Sequence, residues 1–454
     1  MESSNSVESS QIRVGLLGCG HVGGPLVTLL AERVDDIEAR TGVRLVLAKV
    51  AVRNIGKERE AEVPPELLTH DARAVVDDPD IDVVVELIGG IEPARGLILD
   101  ALKAGKPVVT GNKELLANVG SELFDASRAS GCELAYEASV AGALPIIRML
   151  KESLAGEHIT RIIGIVNGTT NYILTRMSEE AISYAEALAE AQSLGFAERD
   201  PTADVDGLDA GAKAAIIARI AFGVDVVAGD VYREGISEVT TADLDFARRL
   251  GYVVKLLAVA ERHDGGPIAV RVHPAMLDQA HPLAGVRGSF NAVFIEGDAL
   301  GELMLYGRGA GGMPSASAVL GDLIDVARSL SAGRKSGIRA SHRVGLVATP
   351  PARLKPMDEL FSQYYVNIVV ADRPGVLATV ADVFGQHGVS IRSMEQADLG
   401  GEARLIFITH RARESDMQAT LRGLRLQPCV ERIGGLLRVV TSEAGGEGEG
   451  GRSR

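Results

Sequence analysis

The run "IRVGLLGCG" (residues 12–20) carries apolar residues into glycines at 18, 20 and 23, and helix-forming residues follow from 25 to 40. A buried strand, a glycine-rich turn and a helix in that order leave few folds open, because each glycine meets a separate steric demand. Gly18 permits the tight turn, Gly20 lets the backbone approach a pyrophosphate, and Gly23 lets the helix pack closely on the strand. His21 and Val22 lie inside the turn, and the unpaired amides of the helix N-terminus face the phosphates. Glycine-rich turns also close strands that bind nothing; the placement between strand and helix is what favours a dinucleotide.

"RLVLAKVAV" (44–52), "DVVVELIGG" (82–90) and "KPVVTGNKE" (106–114) read as further strands separated by helical segments. Strand alternating with helix predicts an α/β fold, a Rossmann-type doubly wound parallel sheet. Such sheets bind ligands at the carboxyl ends of their strands, which brings Ile88, Thr110 and Lys113 to the cofactor. Lys113 can instead be a surface lysine, but the first turn of a helix is a poor place for a cation. After the second strand, "VRNIGKER" places Arg53 and Lys57 where NAD-specific folds present an acid to the ribose. Cations there suit a 2′-phosphate, so NADP(H) is preferred with NAD(H) possible; a solvated basic loop is the other reading.

Composition narrows the class. The 454 residues exceed one core, and 46% hydrophobic with 24% charged residues describes a globular protein of two to four domains. Apolar runs are too short or too interrupted to span a bilayer and "MESSNSVESSQ" is no signal peptide, so a cytoplasmic protein without membrane contact is expected. Cys19, Cys132 and Cys429 form no CxxC pair, which argues against structural zinc and a disulfide framework. A net charge of −14 with no Trp and 4% aromatic residues argues against nucleic acid.

The dinucleotide domain is expected over 11–134, completed by about 308–347, where "YGRGAGGMPSASAVLGDLIDVARSL" supplies a glycine turn and a helix. Residues 135–307 read as an α+β catalytic and dimerisation domain, its sheet suited to a dimer core because an apolar free face must be covered. "GLVATPPARLKPMDELFS" has prolines and no periodicity and reads as a linker at 348–361, before a small βαββαβ unit at 362–442. Residues 1–10 and 443–454 are Gly/Ser/Glu-rich and read as disordered.

In "DPTADVDGLDAGAKAAIIARI" (200–220), Asp209 and Lys213 stand four apart at the start of an otherwise apolar helix. An exposed i, i+4 pair would merely stabilise the helix slightly. Here the apolar surroundings imply burial, and a buried lysine must be paired or lose its charge. Such a lysine suits proton transfer to a carbonyl oxygen that receives a hydride. Asp209 would hold Lys213 or bind substrate, while Glu198 and Asp204 upstream could bind a substrate ammonium group.

Together, "GLLGCGHVGG", "ELIGG", "TGNKELLA", "YEASVAGALPII", "IVNGTTNYIL", "LGFAERDPTADVDGLDAGAKAAI" and "GRGAGGMPSASAVLGD" resemble the homoserine dehydrogenase family over about residues 12–440. That resemblance implies reversible reduction of L-aspartate 4-semialdehyde to L-homoserine with NAD(P)H, on the route to threonine, methionine and isoleucine. It assigns the proton donor to Lys213 and substrate binding to Glu198 and Asp209, with Asp204 close by and Gly195 preceding the substrate loop. Lys113 is expected to touch both cofactor and substrate, and Gly309, Gly311 and Gly312 to return to the nicotinamide side. "YEASVAGAL" implies a Na⁺ or another monovalent cation held by Glu137 and the carbonyls of Val140, Gly142 and Leu144; such oxygen ligands suit a hard cation. From the residues alone Glu137 would read as a hydrogen-bonded core carboxylate.

"VVADRPGVLATVADVFGQHGVSI" is similar to an ACT domain, with Asp372, Pro374 and Gly375 in its first strand-to-helix turn and Gly388 entering the next strand. L-threonine is the ligand this implies, as feedback inhibitor, although ACT domains also serve only to assemble subunits. A homodimer or homotetramer is expected. No aspartate kinase segment is identifiable, so the chain reads as monofunctional. Two rivals stand beside this reading: an NADP- and amino-acid-binding regulator without catalysis, and a dehydrogenase of another small amino-acid aldehyde or oxo acid.

Overall fold

A computed structural model describes residues 10–264, 266–336, 349–398 and 402–440. The segments expected to be disordered lie outside the described residues, except that Ser10 already begins a strand. The chain divides into two compact units. One draws on residues within 1–160, 211–231 and 291–352, the other on residues within 161–210, 232–290 and 353–454.

The first unit holds a six-stranded parallel sheet of β1 (Ser10–Leu17), β2 (Val43–Ala51), β3 (Leu68–Thr69), β4 (Val83–Glu86), β5 (Val108–Thr110) and β6 (Leu134–Ala135). Its order, β3-β2-β1-β4-β5-β6, is the doubly wound arrangement expected. The order reverses between β1 and β4, and ligands of such sheets bind in the crevice beyond the carboxyl ends at that point. Ile12, Val14 and Leu16 alternate along one face of β1 and pack with Leu26 and Leu30 of helix Gly23–Thr41. Helix Gly312–Ser336 adds Ala316, Val319, Leu320, Leu323, Val326 and Ala327 to the same core, at spacings of one, three and four residues that form one helical stripe. The last helix of this unit thus comes from far along the chain.

In the second unit, strands Ile159–Ile165, Tyr252–Arg262 and Ile268–Asp278 run antiparallel. The C-terminal module does not stop short of them. Its last strand, Val430–Val440, pairs in parallel with Ile268–Asp278 through Ala275↔Arg438, and the sheet continues through Phe361–Ala371, Glu402–Thr409 and Ile391–Asp398. Tyr364, Val366, Ile368 and Val370 face a core with Val380, Phe384 and Leu421, whereas Tyr365 and Asn367 on the other face hydrogen-bond Asp243 at 3.0 and 2.8 Å. Both faces are therefore covered from Tyr364 to Val370, where every residue is buried and only Asn367 interrupts the apolar run.

The segment expected to be a linker is held by its backbone. The Asp225 amide donates to Pro350 O at 2.8 Å, the Ile268 amide to Arg353 O at 2.9 Å, and the Lys355 amide to Ile268 O at 2.8 Å. The prolines do break regular structure, but the chain there is pinned. No helix among the described residues is long and apolar enough to cross a membrane.

Candidate active site

The glycine-rich turn follows β1 with Gly18 at φ +96°, a conformation that a side chain would strain. A Cβ at Gly23 would fall 2.1 Å from Gly18 O, so helix and strand meet at a separation that only glycine allows. Nothing lies within 4 Å of the Cβ position at Gly20, which leaves that side open for a pyrophosphate. Gly312 closes on the turn from the other end of the chain: a Cβ there would meet His21 O at 2.4 Å. The 309–312 loop, including Gly311 at φ +123°, is thereby seated beside the cofactor turn. Arg53 and Lys57 are exposed in the loop after β2. The Cys19 thiol, half-buried between two of the glycines, is pushed up by burial.

A network that the sequence reading did not assign organises the next two strand ends. Glu86, wholly buried, accepts the amides of Ile88 and Gly89 at 2.8 and 3.1 Å and the Thr110 hydroxyl at 2.6 Å. Thr110 Oγ1 accepts the Asn112 amide at 3.0 Å, and Asn112 Nδ2 donates to Gly90 O at 2.6 Å. Asn112 also caps helix Lys113–Ser130, taking the Leu115 amide at 3.1 Å. These bonds fix the walls of a cavity of about 390 Å³ whose lining includes His21, Val22, Ile88, Lys113, Gly142, Lys213 and Gly309. Lys113 and Lys213, 100 positions apart in sequence, thus open onto one cavity. Lys213 is buried, and the exposed Lys113 stands at the first position of its helix.

Helix Leu208–Phe222 carries Asp209 in its first turn and Lys213 one turn on; both are buried, as the apolar surroundings implied. Asn167, also buried, brings two of the predicted acids together: its Nδ2 donates to Asp204 Oδ1 at 2.6 Å and Asp209 Oδ2 at 2.9 Å. The same residue caps helix Gly168–Glu180, its Oδ1 accepting the Thr170 amide at 2.9 Å. Thr169 Oγ1 holds Phe196 O at 2.7 Å and so ties down the loop that follows Gly195, itself at φ +74°. The Glu198 carboxyl in that loop is exposed, and its backbone oxygen accepts Gln192 Nε2 at 3.0 Å. Asn167 stands in the quoted run "IVNGTT"; an Asn between a strand and a helix is a cap signal that could have singled it out.

Glu137 is buried, and each of its oxygens accepts a backbone amide, from Ile147 and Arg148, at 2.8 Å. Burial pushes its carboxyl up, so a cation beside it would relieve an unfavourable charge. Gly142 lies at φ +46°, and Leu144 O accepts the Ile146 amide at 2.8 Å, which leaves a carbonyl lone pair over. With Val140 O in the same turn, this donor set of one carboxylate and several carbonyls fits a hard monovalent cation. Asp322 of helix Gly312–Ser336 accepts the Glu137 amide at 2.7 Å and is itself pushed up to about 7 by burial.

In the C-terminal module Asp372, Pro374 and Gly375 form an exposed strand-to-helix turn, with Gly375 at φ +88° preceding helix Val376–Gln386. Gly388, at φ +71°, is exposed after that helix.

Known proteins resemble nearly the whole of the chain. The profile of the homoserine dehydrogenase domain matches residues 145–324, that of the homoserine dehydrogenase NAD-binding domain residues 18–137, and that of the ACT domain residues 364–425. The homoserine dehydrogenase of Corynebacterium glutamicum is 46% identical over 434 residues, covering 95% of this chain and 96% of its own. The chain belongs to the homoserine dehydrogenase family. A crystal structure of the homoserine dehydrogenase from Thiobacillus denitrificans matches with a TM-score of 0.86 at 39% identity, over 95% of this chain and 98% of that one. A hyperthermophilic archaeal homoserine dehydrogenase in complex with NADPH matches with a TM-score of 0.58 at 30% identity, over 70% and 97%. As a homoserine dehydrogenase the chain is a nicotinamide-dependent oxidoreductase acting on a CH–OH group, and it carries a C-terminal ACT domain.

Proposed function

We propose that this chain catalyses the reversible reduction of L-aspartate 4-semialdehyde to L-homoserine, with Lys213 as the proton donor and NADPH preferred over NADH. The observation that carries this reading is the burial of Lys213 at the wall of the cavity that also holds the glycine-rich turn and Lys113. When bound, the nicotinamide supplies the hydride in one direction and accepts it in the other. Lys213 gives a proton to the aldehyde oxygen as the alkoxide forms and takes it back from the homoserine hydroxyl in reverse. Lys113 orients cofactor and substrate, while Glu198, Asp204 and Asp209 hold the substrate ammonium group. Arg53 and Lys57 meet the 2′-phosphate, which an acid at that position would repel.

A monovalent cation at Glu137, Val140, Gly142 and Leu144 would neutralise the buried carboxylate and fix the turn that places Gly142 on the cavity. The ACT turn at Asp372–Gly375, with Gly388, is the proposed site of L-threonine, acting as feedback inhibitor on the route to threonine, methionine and isoleucine. The proposed assembly is a homodimer or homotetramer. Family membership favours this enzyme over a nucleotide-binding regulator without chemistry.

The test is NADPH oxidation by the purified full chain with L-aspartate 4-semialdehyde, repeated with NADH, with L-threonine, and with Lys213→Ala. Turnover that survives Lys213→Ala would overturn the proton-donor assignment; turnover indifferent to threonine would leave the ACT domain an assembly module.

A further inference from the structure

The largest fully buried side chain among the described residues is Arg438, on the last strand of the ACT module, and the proposed reaction makes no use of it. Its guanidinium is shared between two carboxylates. Nη1 and Nη2 grip Glu234 in a fork at 2.8 and 2.9 Å, while Nε and Nη2 hold Glu414 at 2.9 and 2.7 Å. Glu414 also accepts the Tyr364 hydroxyl at 2.8 Å, and Glu234 accepts that of Tyr232. Glu414 and Tyr364 belong to the module; Glu234 and Tyr232 lie some 200 positions earlier.

Glu234 begins a segment packed under the acid loop. Its amide donates to Val272 O at 2.8 Å, and the Ile236 amide donates to Val205 O at 2.9 Å. Between them, a Cβ at Gly235 would meet Val205 O at 2.5 Å and Asp206 Cα at 2.9 Å, so the two backbones lie in contact with no slack. Val205 directly follows Asp204, the acid that Asn167 joins to Asp209. A shift of Glu234 is therefore passed to Asp204 through main chain rather than through flexible side chains.

We propose that Arg438 and Glu234 are positioning residues for the substrate acids, fixing the 204–206 loop from the last strand of the ACT module. This rests on the reading of Asp204 as a substrate ligand. The bidentate fork supplies what a lone charge does not, a fixed plane and direction for Glu234. Side chains that hold a reacting geometry affect substrate binding and turnover when they move by an ångström.

Glu234→Gln tests it with the fold preserved, since the side chain keeps its shape and Arg438 keeps Glu414. The expected result, in the homoserine-oxidising direction, is a KM for homoserine raised roughly three- to thirtyfold, with the KM for NADP unchanged and the variant still folding cooperatively. Arg438→Lys, which keeps the charge but loses the fork, should act in the same direction; Tyr232→Phe is the milder third variant. An unchanged homoserine KM in folded Glu234→Gln overturns the proposal, as does an equal rise in the KM of both substrates, which would mean general loosening. Asp204→Asn separates the premise from the inference. If it leaves the homoserine KM unchanged, the reading of Asp204 fails and the inference with it; if it raises that KM while Glu234→Gln does not, only the tie through Glu234 is refuted.

Discussion

Glu86→Ala isolates what the strand-end network contributes. The wild-type carboxylate takes three donors, the amides of Ile88 and Gly89 and the hydroxyl of Thr110. Thr110 is wholly buried, so its orphaned hydroxyl costs about 1–3 kcal/mol, while the two amides are partly exposed and regain water at about 0.5–1 kcal/mol each. The total is about 3 kcal/mol, which lowers the melting temperature of a unit this size by about 6–12 °C. Glu86→Gln behaves differently, because its oxygen can still accept both amides and its NH2 can donate to Thr110 Oγ1; about 1 kcal/mol or less is lost. Ile88, Gly89 and Gly90 line the cavity and Gly90 O holds the cap of the Lys113 helix, so Glu86→Ala should also weaken NADPH binding about tenfold. Calorimetry and quenching or enhancement of NADPH fluorescence read the two effects. An Ala variant within about 2 °C of wild type, with unchanged NADPH affinity, or a Gln variant as damaged as Ala, would refute the reasoning.

Lys213→Ala should lower kcat by about 10²–10⁴-fold while NADPH affinity stays within a few-fold, and Lys213→Arg should not rescue it because a guanidinium does not release its proton. Retained turnover would refute the role. Replacing both Arg53 and Lys57 by Ala should raise the KM for NADPH about tenfold or more and leave that for NADH alone, since only the former has a phosphate to lose; equal changes would point to a collapsed loop. Lys255 gives a pH signature: it is buried, donates to Asn171 Oδ1 at 2.9 Å and Val286 O at 2.5 Å, and burial pushes its ammonium down to about 8. Its folded pKa lies below the unfolded value near 10.4, so the unfolded chain binds more protons in between, and this group makes stability rise from about pH 8 to 10.4 by at most ~3 kcal/mol, with no slope below. Lys255→Met should remove that rise, read as the difference in urea midpoints between pH 8 and 10; parallel midpoints would show that the ammonium is not desolvated as described.

The parts legible in the sequence are those set by local steric demands. The first strand, the glycine turn and the helix after it stand where the residues predicted them. Strand ends were harder. "DVVVELIGG" stops being strand at Glu86, because that side chain folds back onto the amides of Ile88 and Gly89 and turns the chain. "KPVVTGNKE" is strand only over Val108–Thr110, because Asn112 caps a helix two residues later. Both outcomes depend on a tertiary partner, Thr110 for Glu86 and Gly90 for Asn112, which periodicity does not contain. Asn167 was legible as a cap, but the two acids it joins lie 37 and 42 positions away, which no local signal shows.

The C-terminal module was read as a separate domain because its βαββαβ pattern is complete in itself, yet a pattern does not say whether an edge strand is paired. Val430–Val440 uses one edge for Phe361–Ala371 and the other for Ile268–Asp278. Its neighbour turns Tyr365 and Asn367 onto Asp243, which is wholly buried, and a Cβ at Gly435 would lie 2.9 Å from that carboxylate. Asp243 meanwhile caps its own helix through the Thr240 amide and hydroxyl at 3.0 and 2.7 Å. A buried carboxylate is tolerated only while its hydrogen bonds are made, so the helix Thr241–Arg249 and the module's strands stand or fall together. Because Asp243 takes donors from its own helix and from Tyr365 and Asn367 of the module's strand, the junction admits few arrangements, and a shift on either side of it is felt on the other.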